Sequence, residues 1–366
     1  MGACSRTISL ASPTSPTRGL PTGRAAQGQP SGGRSRGSPA GSPPPRSGEG
    51  ASASPGQPVV VLAGPTASGK SVLAEGLAES LPVTIINADS QQVYRDLRVL
   101  SARPDAAAEE KIPHRLYGFL DAAERASAGL WRRLAEAAIA ESAAARRLPL
   151  VVGGSGLYLA ALERGLPAIP AIPEEIRREA GLLYESLGGE RFRNCLSRLD
   201  RESAARLASA DRARLVRAYE VVRATGLPIG KWQEKPRNAP SYRLAKILLM
   251  PPRERLYAAC NARFAAMIEN GALPEAKALA ARGLDPNLPA MKALGLKELL
   301  AHLRGETSLA EAVAMGQRAT RRYAKRQVTW FRHQLNPDRI VTEEFSQGLL
   351  SSLREFIDGF LLTGGV

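Results

Sequence analysis

Residues 64 to 71 constrain the fold more than any other part of the chain. They follow the apolar run Val59 to Ala63 and lead into a segment of helical composition, Val72 to Leu81. They match the pattern G-x-x-x-x-G-K-[ST] in the order strand, loop, helix. Such a loop turns backbone N–H groups and a helix N-terminus toward a bound phosphate. We therefore expect a diphosphate or triphosphate site formed by Gly64, Pro65, Thr66, Ala67, Ser68, Gly69, Lys70 and Ser71.

Two side chains of this loop have expected roles. Lys70 reaches further phosphate oxygens, and the hydroxyl of Ser71 can hold Mg²⁺. The alternative is a plain glycine-rich connector. The pattern specifies a ligand but no reaction.

Short apolar runs alternate with long Ala-, Leu- and Arg-rich segments after Val59, which is typical of an α/β fold. Helices are expected at Ser71 to Ser80 and Ala126 to Arg147. This alternation predicts a nucleotide-binding-like parallel sheet flanked by helices, with ligands bound beyond the carboxyl ends of its strands. The expected strands are Val59 to Ala63, Val83 to Asn87, Leu148 to Val152 and Leu244 to Met250.

Polar residues follow two of these strands. Asp89 follows the second strand, where a carboxylate can act as a general base, a hydrogen-bond acceptor or an indirect metal ligand. A helix N-cap is the structural alternative for Asp89. Gly153, Gly154 and Ser155 follow the third strand, where they allow close approach to a substrate or form a tight turn.

The chain divides into four regions by composition. Residues 1–56 are rich in Ser, Pro, Gly and Arg, and we expect a disordered basic tail. The alternatives are a targeting segment, a dispensable linker or a start codon assigned too far upstream. Residues 57–172 and 241–340 form the expected core with C-terminal helices. Residues 173–240 carry short helical segments and no strand signal, so we expect a helical insertion domain. Residues 341–366 are interpreted as a C-terminal tail.

The net charge of +15 indicates a polyanionic partner. Six arginines and one glutamate before residue 57 account for only +5 of it. Arg212, Arg214 and Arg217 form a positive stripe at helical spacing. A second basic segment, Arg318 to His333, contains Tyr323, Trp330 and Phe331 but no acidic residue. Cations interleaved with aromatic rings favour nucleic acid, although a solvated face around a packed core is the alternative.

The cysteines and the length of the apolar runs indicate in which compartment the protein is expected. Cys4, Cys195 and Cys260 lie far apart and match no zinc spacing, so we expect free thiols in a reducing compartment such as the cytoplasm. Since no apolar run approaches about 18 residues, we expect no membrane span.

Six motifs occur in an order that resembles the bacterial tRNA dimethylallyltransferases. The resemblance covers the chain from Val59 to about Asp338. The motifs are Gly64 to Ser71, Asp89-Ser90-Gln91-Gln92-Val93-Tyr94, Pro113-His114-Arg115-Leu116, Gly153-Gly154-Ser155-Gly156-Leu157-Tyr158, Arg214-Leu215-Val216-Arg217-Ala218 and Lys325-Arg326-Gln327-Val328-Thr329-Trp330-Phe331-Arg332.

This resemblance implies transfer of a dimethylallyl group from its diphosphate to N6 of the adenosine 3′ to the anticodon, in tRNAs that read codons beginning with U. The phosphate loop would hold dimethylallyl diphosphate with Mg²⁺, and Asp89 would accept the proton of the attacking amine. Ser155, where the family usually has Thr, and Arg177 would lie near the substrate. The tRNA-binding residues implied are Asp89, Ser90, Gln91, Gln92, Ala213, Arg214, Leu215, Val216, Arg217, Lys292, Lys297, Lys325, Arg326, Gln327, Trp330 and Arg332. The protein is expected to act on the anticodon stem-loop as a monomer.

One segment departs from the family pattern, because Leu100 to Pro104 reads Leu-Ser-Ala-Arg-Pro where many members carry Gly-Thr-Ala-Lys-Pro. Two other enzyme classes share the phosphate loop. A small-molecule kinase would turn over ATP and would not need the basic segment, whereas a nucleic-acid-dependent ATPase would explain the charge and could use Asp89 as a metal-linked residue.

Overall fold

A computed structural model describes residues 56–239 and 242–363 of the chain. All pairings between neighbouring strands are parallel, in the order β3-β2-β4-β1-β5-β6. The expected α/β class with a parallel sheet flanked by helices is confirmed. The expected tail, residues 1–56, lies outside the described residues apart from Gly56. The strands are β1 (Pro58–Ala63), β2 (Val83–Asn87), β3 (His114–Arg115), β4 (Leu148–Gly153), β5 (Arg243–Leu249) and β6 (Arg339–Val341).

The helices follow the strands and connect them across both faces of the sheet. A short 3₁₀ turn, Ala290–Lys292, precedes α11. The helices are α1 (Lys70–Ser80), α2 (Ala106–Lys111), α3 (Ala128–Ala144), α4 (Gly156–Arg164), α5 (Glu174–Ser197), α6 (Arg201–Arg206), α7 (Arg212–Thr225), α8 (Ile229–Glu234), α9 (Arg253–Glu269), α10 (Ala272–Ala281), α11 (Leu296–Leu303), α12 (Leu309–Gln334) and α13 (Gln347–Leu362).

Strand β1 is apolar throughout because helices cover both faces of the sheet. Val59 and Val61 pack into the hydrophobic cluster that contains Trp131 of α3 and Phe264 of α9. Val60 and Leu62 point to the other face of the sheet, where α1 and α13 pack. Successive side chains of a strand alternate between faces, so a strand covered on both sides reads as an unbroken apolar run.

The C-terminal region is part of this core, so the interpretation of residues 341–366 as a tail is wrong for the described residues up to 363. Val341 is buried at the end of β6, and α13 places Leu349, Leu353 and Ile357 against the sheet. The spacing of these leucines and isoleucine is that of one helix face. Ser346 begins α13 by accepting a hydrogen bond from the Leu349 N–H.

Helices α5 to α8 form a hydrophobic cluster of their own. Phe192 and Leu196 of α5 are fully buried against Leu215 and Tyr219 of α7. The chain enters α5 after Pro173, and α7 begins where the Asp211 side chain accepts the Arg214 N–H. This cluster lies within the residues 173–240 that the sequence analysis assigned to an insertion.

The order of the central strands positions the candidate site. Because β4 lies between β1 and β2, the turn after β4 separates the phosphate loop after β1 from Asp89 after β2. All three segments therefore meet at the carboxyl edge of the sheet. Among the described helices, none is both long and apolar enough to cross a membrane.

Candidate active site

The phosphate loop connects β1 directly to α1. Gly64, Pro65 and Thr66 are buried, whereas Ser71 in the first turn of α1 is exposed. The N-terminus of α1 therefore opens to the crevice at the edge of the sheet. Its N–H groups and its dipole favour an anion at this position.

Lys70 is the first residue of α1 and lies over the loop that precedes it. Its Nζ donates hydrogen bonds to the carbonyl oxygens of Gly64 (2.9 Å) and Pro65 (2.7 Å). Burial, with a smaller contribution from the positive charge of Arg263, lowers the pKa of Lys70 to about 7, although Asp89 opposes this shift. Lys70 is half-buried, and a partly desolvated cation at this position is stabilised by an anionic ligand.

Arg263 of α9 is a site residue that sequence reasoning missed. One of its terminal nitrogens donates to the Ser101 carbonyl oxygen (3.0 Å). Burial lowers the pKa of the Arg263 guanidinium, and the charge of Asp89 opposes that shift. A signal was present in the sequence, because Arg263 lies on the same helical stripe as the buried Cys260 and Met267. A cation on an apolar stripe requires a counter-charge or an anionic ligand.

Asp89 follows β2 in a turn fixed by Asn87. The Asp89 N–H donates to Asn87 Oδ1 (2.8 Å), and Asn87 Nδ2 donates to the Asp89 carbonyl oxygen (3.0 Å). Asp89 Oδ1 accepts the Gln91 N–H (2.8 Å), which makes an Asx turn. The helix N-cap alternative is wrong, because the next described helix begins only at Ala106. The carboxylate is therefore available to the crevice as a hydrogen-bond acceptor.

Ser155 joins the turn after β4 to the segment that carries Asp89. Its Oγ accepts the Ser90 N–H (2.8 Å) and donates to Ser90 Oγ (3.2 Å). The Ser155 N–H donates to the Ala88 carbonyl oxygen (3.1 Å). Ser155 is buried, so its hydroxyl fixes Ser90 in position beside Asp89.

Three tyrosines with restricted exposure, of which Tyr158 is buried and Tyr117 and Tyr323 are half-buried, interact electrostatically with Asp89. Burial raises the pKa of Tyr117, Tyr158 and Tyr323, and the negative charge of Asp89 raises each further. Their phenol groups are therefore protonated at neutral pH and add no charge to the site.

The glutamines after Asp89 face the polypeptide chain. Gln92 Nε2 donates to the carbonyl oxygens of Ser101 (3.1 Å) and Ala102 (2.9 Å). Gln91 Nε2 donates to the Pro289 carbonyl oxygen (3.3 Å), whereas its buried Oε1 has no hydrogen-bond partner among the described residues. Gln92 thus stabilises Leu100 to Pro104, the segment whose sequence differs from the family pattern. Gln91 keeps an acceptor oxygen with no partner among the described residues, two positions after Asp89.

Helix α12 presents a cationic surface next to this crevice. Lys325, Arg326 and Arg332 are exposed, as the nucleic-acid prediction requires. Arg322, Lys325, Arg326 and Thr329 line an open groove of about 380 Å³. Trp330 is half-buried and packs edge-on against Phe331, with ring centroids 5.4 Å apart. Gln327 is buried, and its predicted contact with tRNA stays a prediction.

Of the predicted tRNA-binding residues on α7, some are exposed and others are buried. Ala213 and Arg214 are exposed, and Arg217 is half-exposed. Leu215 and Val216 are buried in the α5–α7 cluster, and their predicted contact with tRNA stays a prediction. Their neighbours on the outer face remain available to a partner.

Three further predicted residues lie away from the phosphate loop. Lys292 and Lys297 are exposed around the start of α11. Arg177 lies in the first turns of α5, where it pairs with Glu174 at 3.8 Å. The structure places Arg177 in the α5–α8 region and not among the residues that surround Lys70.

Comparisons with known proteins agree with this arrangement. A family model described as IPP transferase matches residues 92–334. A tRNA dimethylallyltransferase of Rhodospirillum centenum is 55% identical over 281 residues, which cover 76% of this chain and 90% of the relative. The corresponding protein of Rhodospirillum rubrum is 50% identical over 319 residues, with coverages of 85% and 98%.

Two solved structures share the fold. The full-length tRNA isopentenylpyrophosphate transferase of Bacillus halodurans has a TM-score of 0.62 and 33% identity, covering 84% of this chain and 98% of its own. A eukaryotic dimethylallyltransferase acting on tRNA has a TM-score of 0.69 and 25% identity, with coverages of 83% and 80%. The matched family region includes the turn after β4, Arg263 and the basic helix α12, and relatives that are 50% identical or more span most of both chains. The chain therefore belongs to the IPP transferase family.

Proposed function

We propose that the protein transfers the dimethylallyl group of dimethylallyl diphosphate to N6 of the adenosine 3′-adjacent to the anticodon, in tRNAs that read UNN codons. The products are N6-dimethylallyladenosine and diphosphate. One observation carries the proposal: the phosphate loop with Lys70 and the Asp89 turn meet at the carboxyl edge of the sheet, and Gln327 of the cationic helix α12 bonds both the phosphate loop and the turn between them.

The first part of the mechanism is stabilisation of the leaving group. When the bond between the dimethylallyl carbon and the diphosphate oxygen breaks, its electron pair leaves with diphosphate. In this proposal Lys70, Arg263 and the N–H groups at the start of α1 stabilise the negative charge that develops on diphosphate. Burial strengthens these interactions because little water competes for the charge.

The second part is activation of the acceptor. The adenine N6 amine forms the new carbon–nitrogen bond as the carbon–oxygen bond breaks, and Asp89 accepts the proton that the amine loses. The Asn87 amide fixes the backbone on both sides of Asp89 for this step. The adenine must leave its stack to reach the carboxylate, which costs a few kcal/mol and is cheapest in a loop.

Mg²⁺ is the expected cofactor. No group of three His, Cys, Asp or Glu side chains in residues 56–239 and 242–363 could hold a metal ion by itself. Mg²⁺ at phosphate sites usually takes one or two protein ligands with substrate oxygens and water, so the exposed Ser71 hydroxyl fits this role. When bound, Mg²⁺ would neutralise part of the diphosphate charge.

The tRNA would contact the exposed cations of α12 and α7, together with Lys292 and Lys297. We propose that the protein acts as a monomer in the cytoplasm, since a single chain supplies the crevice and both cationic surfaces.

A transfer assay tests the function directly. Unmodified anticodon stem-loop RNA is incubated with the protein, Mg²⁺ and either dimethylallyl diphosphate or ATP, and the nucleosides are analysed by mass spectrometry. We expect adenosine to gain a C₅H₈ unit only with dimethylallyl diphosphate. ATP consumption with unmodified adenosine would instead support a kinase or an ATPase.

A further inference from the structure

The inner face of α12 contacts the loops that form the crevice. Tyr323, Gln327 and Trp330 follow one another at helical spacing, so they lie on the same face. Trp330 packs so closely on Gly156 that a Cβ there would lie 2.5 Å from the indole ring. The exposed cations Lys325 and Arg326 lie on the outer side of the helix. One helix therefore combines a cationic outer face with an inner face that supports the crevice.

Gln327 makes the most direct contact with the phosphate loop. Its Oε1 accepts the Thr66 N–H (2.8 Å), and its Nε2 donates to the Gly154 carbonyl oxygen (2.9 Å). The side chain is only 6% exposed. A Cβ at Gly154 would lie 2.4 Å from Gln327 Nε2, so the close approach depends on the glycine. A single buried amide thus joins the phosphate loop, the turn after β4 and α12.

Only a side-chain amide of this length satisfies both partners. Gln supplies an acceptor and a donor on the same amide carbon, whereas an ionised Glu supplies acceptors alone and Met supplies neither hydrogen bond. If the amide is removed, a buried N–H of the phosphate loop and a buried carbonyl lose their partners. We expect the phosphate loop to shift so that the Thr66 N–H finds another hydrogen-bond acceptor. Such a shift would change the shape of the site that binds the prenyl donor.

We propose that Gln327 is a positioning residue for the prenyl donor, which holds the phosphate loop at a fixed distance from the turn at Gly154. This proposal rests on the proposed function. Gln327 touches neither diphosphate nor tRNA in this role. It acts through Thr66, on the loop that receives the diphosphate.

Steady-state kinetics of Gln327→Met in the full chain test the proposal. We expect the KM for dimethylallyl diphosphate to rise at least tenfold, kcat at saturating donor to change less than threefold, and the Kd for tRNA to stay within twofold of wild type. KM does not depend on the fraction of folded enzyme, so this result separates positioning from a simple loss of stability.

Gln317→Met is the matched control. Gln317 lies about three turns earlier on α12, and its Nε2 donates to the Asn261 carbonyl oxygen (3.2 Å). This variant also loses a hydrogen bond to the backbone of a neighbouring element, yet it should leave the donor KM unchanged. Gln327→Glu, which keeps an acceptor for Thr66 but loses the donor to Gly154, should also raise the donor KM and serves if the Met variant does not fold.

Three results would overturn the proposal: an unchanged donor KM in the folded Gln327 variants, an equal rise in Gln317→Met, or a weakened tRNA Kd with an unchanged donor KM. A wild-type protein that transfers no dimethylallyl group would refute the proposed function instead. The two failures are therefore distinguishable.

Discussion

The Asn87 side chain holds the backbone of Asp89 without the Asp89 carboxylate, and the Asx turn to Gln91 needs only one side-chain oxygen, which an asparagine at position 89 keeps. Asn87, which is fully buried, bonds the N–H and the carbonyl oxygen of Asp89, and the Trp131 indole donates to the Asn87 carbonyl oxygen (2.7 Å). Replacement of the carboxylate should therefore remove its chemistry and leave the turn in place.

We expect Asp89→Asn to lower kcat by about 10²- to 10⁴-fold, the usual contribution of a general base. The tRNA Kd should remain near the wild-type value, because the cationic surfaces are unchanged. Single-turnover transfer and fluorescence anisotropy measure the two quantities. Asp105→Asn, at the exposed N-cap of α2, is the control and should behave as wild type. Near-normal turnover of Asp89→Asn would exclude Asp89 as the proton acceptor.

Lys70 gives donor binding a defined pH dependence. Its pKa is lowered to about 7, first by burial and then by Arg263. Above pH 7 the free protein therefore holds mainly neutral Lys70, whereas a bound diphosphate favours the ammonium form. Binding must then take up a proton, and donor affinity should fall as the pH rises above 7, by up to about tenfold per pH unit.

Calorimetry at pH 8, in two buffers of different ionisation enthalpy, measures this uptake for dimethylallyl diphosphate without tRNA. We expect the wild type to take up close to one proton for each dimethylallyl diphosphate bound. Lys70→Met should take up essentially none. Equal uptake by both proteins would contradict the assignment of the proton to Lys70.

At the scale of elements, α12 should determine how tRNA binding responds to salt. Lys325 and Arg326 are exposed and border the groove on this helix. Each cation that contacts a phosphate releases a counterion, so the double substitution to Ala should weaken binding and reduce the salt slope by about one to two. Kd values measured by anisotropy over a salt series test this. Lys277→Ala, on the exposed face of α10, is the control, and an equal slope in all proteins would exclude these cations from the interface.

The sequence predicted those elements whose patterns are dictated by burial alone. β1, β2, β4 and β5 are apolar runs because both faces of the sheet are covered. β3 and β6 were missed because His114–Arg115 and Arg339–Val341 are short, partly exposed and lie at the edges of the sheet. Edge strands lack the apolar run that marks a central strand.

The site residues also fall into a group that the sequence predicted and a group that it did not. The phosphate loop and Asp89 were predictable because each immediately follows a recognisable strand. Arg263 and Gln327 were not assigned their places, because each reaches the crevice from a helix distant in sequence. Whether a glutamine on a basic helix faces solvent or a backbone N–H depends on how that helix docks, which only the tertiary structure decides.

At the scale of the whole molecule, the α5–α8 cluster has its own core, separate from the clusters on the sheet. Phe192→Ala should lower the free energy of unfolding of this cluster by about 3–5 kcal/mol. Because Lys70 and Arg263 lie outside this cluster, donor binding should persist while tRNA affinity falls.

Hydrogen exchange should show lost protection between residues 174 and 234, with β1 still protected. Leu182→Ala, which changes a side chain that is 62% exposed on α5, is the control. Equal loss of protection in β1 would mean that the two parts unfold as one unit.

The position of α13 also bears on how the chain folds as it is synthesised. α1 and α13 cover the same face of the sheet, and Leu350 of α13 packs next to Gly76 of α1. α1 leaves the ribosome early and α13 late, so β1, β2 and β4 can associate while one side of their sheet still meets water. During that interval the nascent chain presents an apolar surface that chaperones recognise, and the last helix to emerge is the one that covers it.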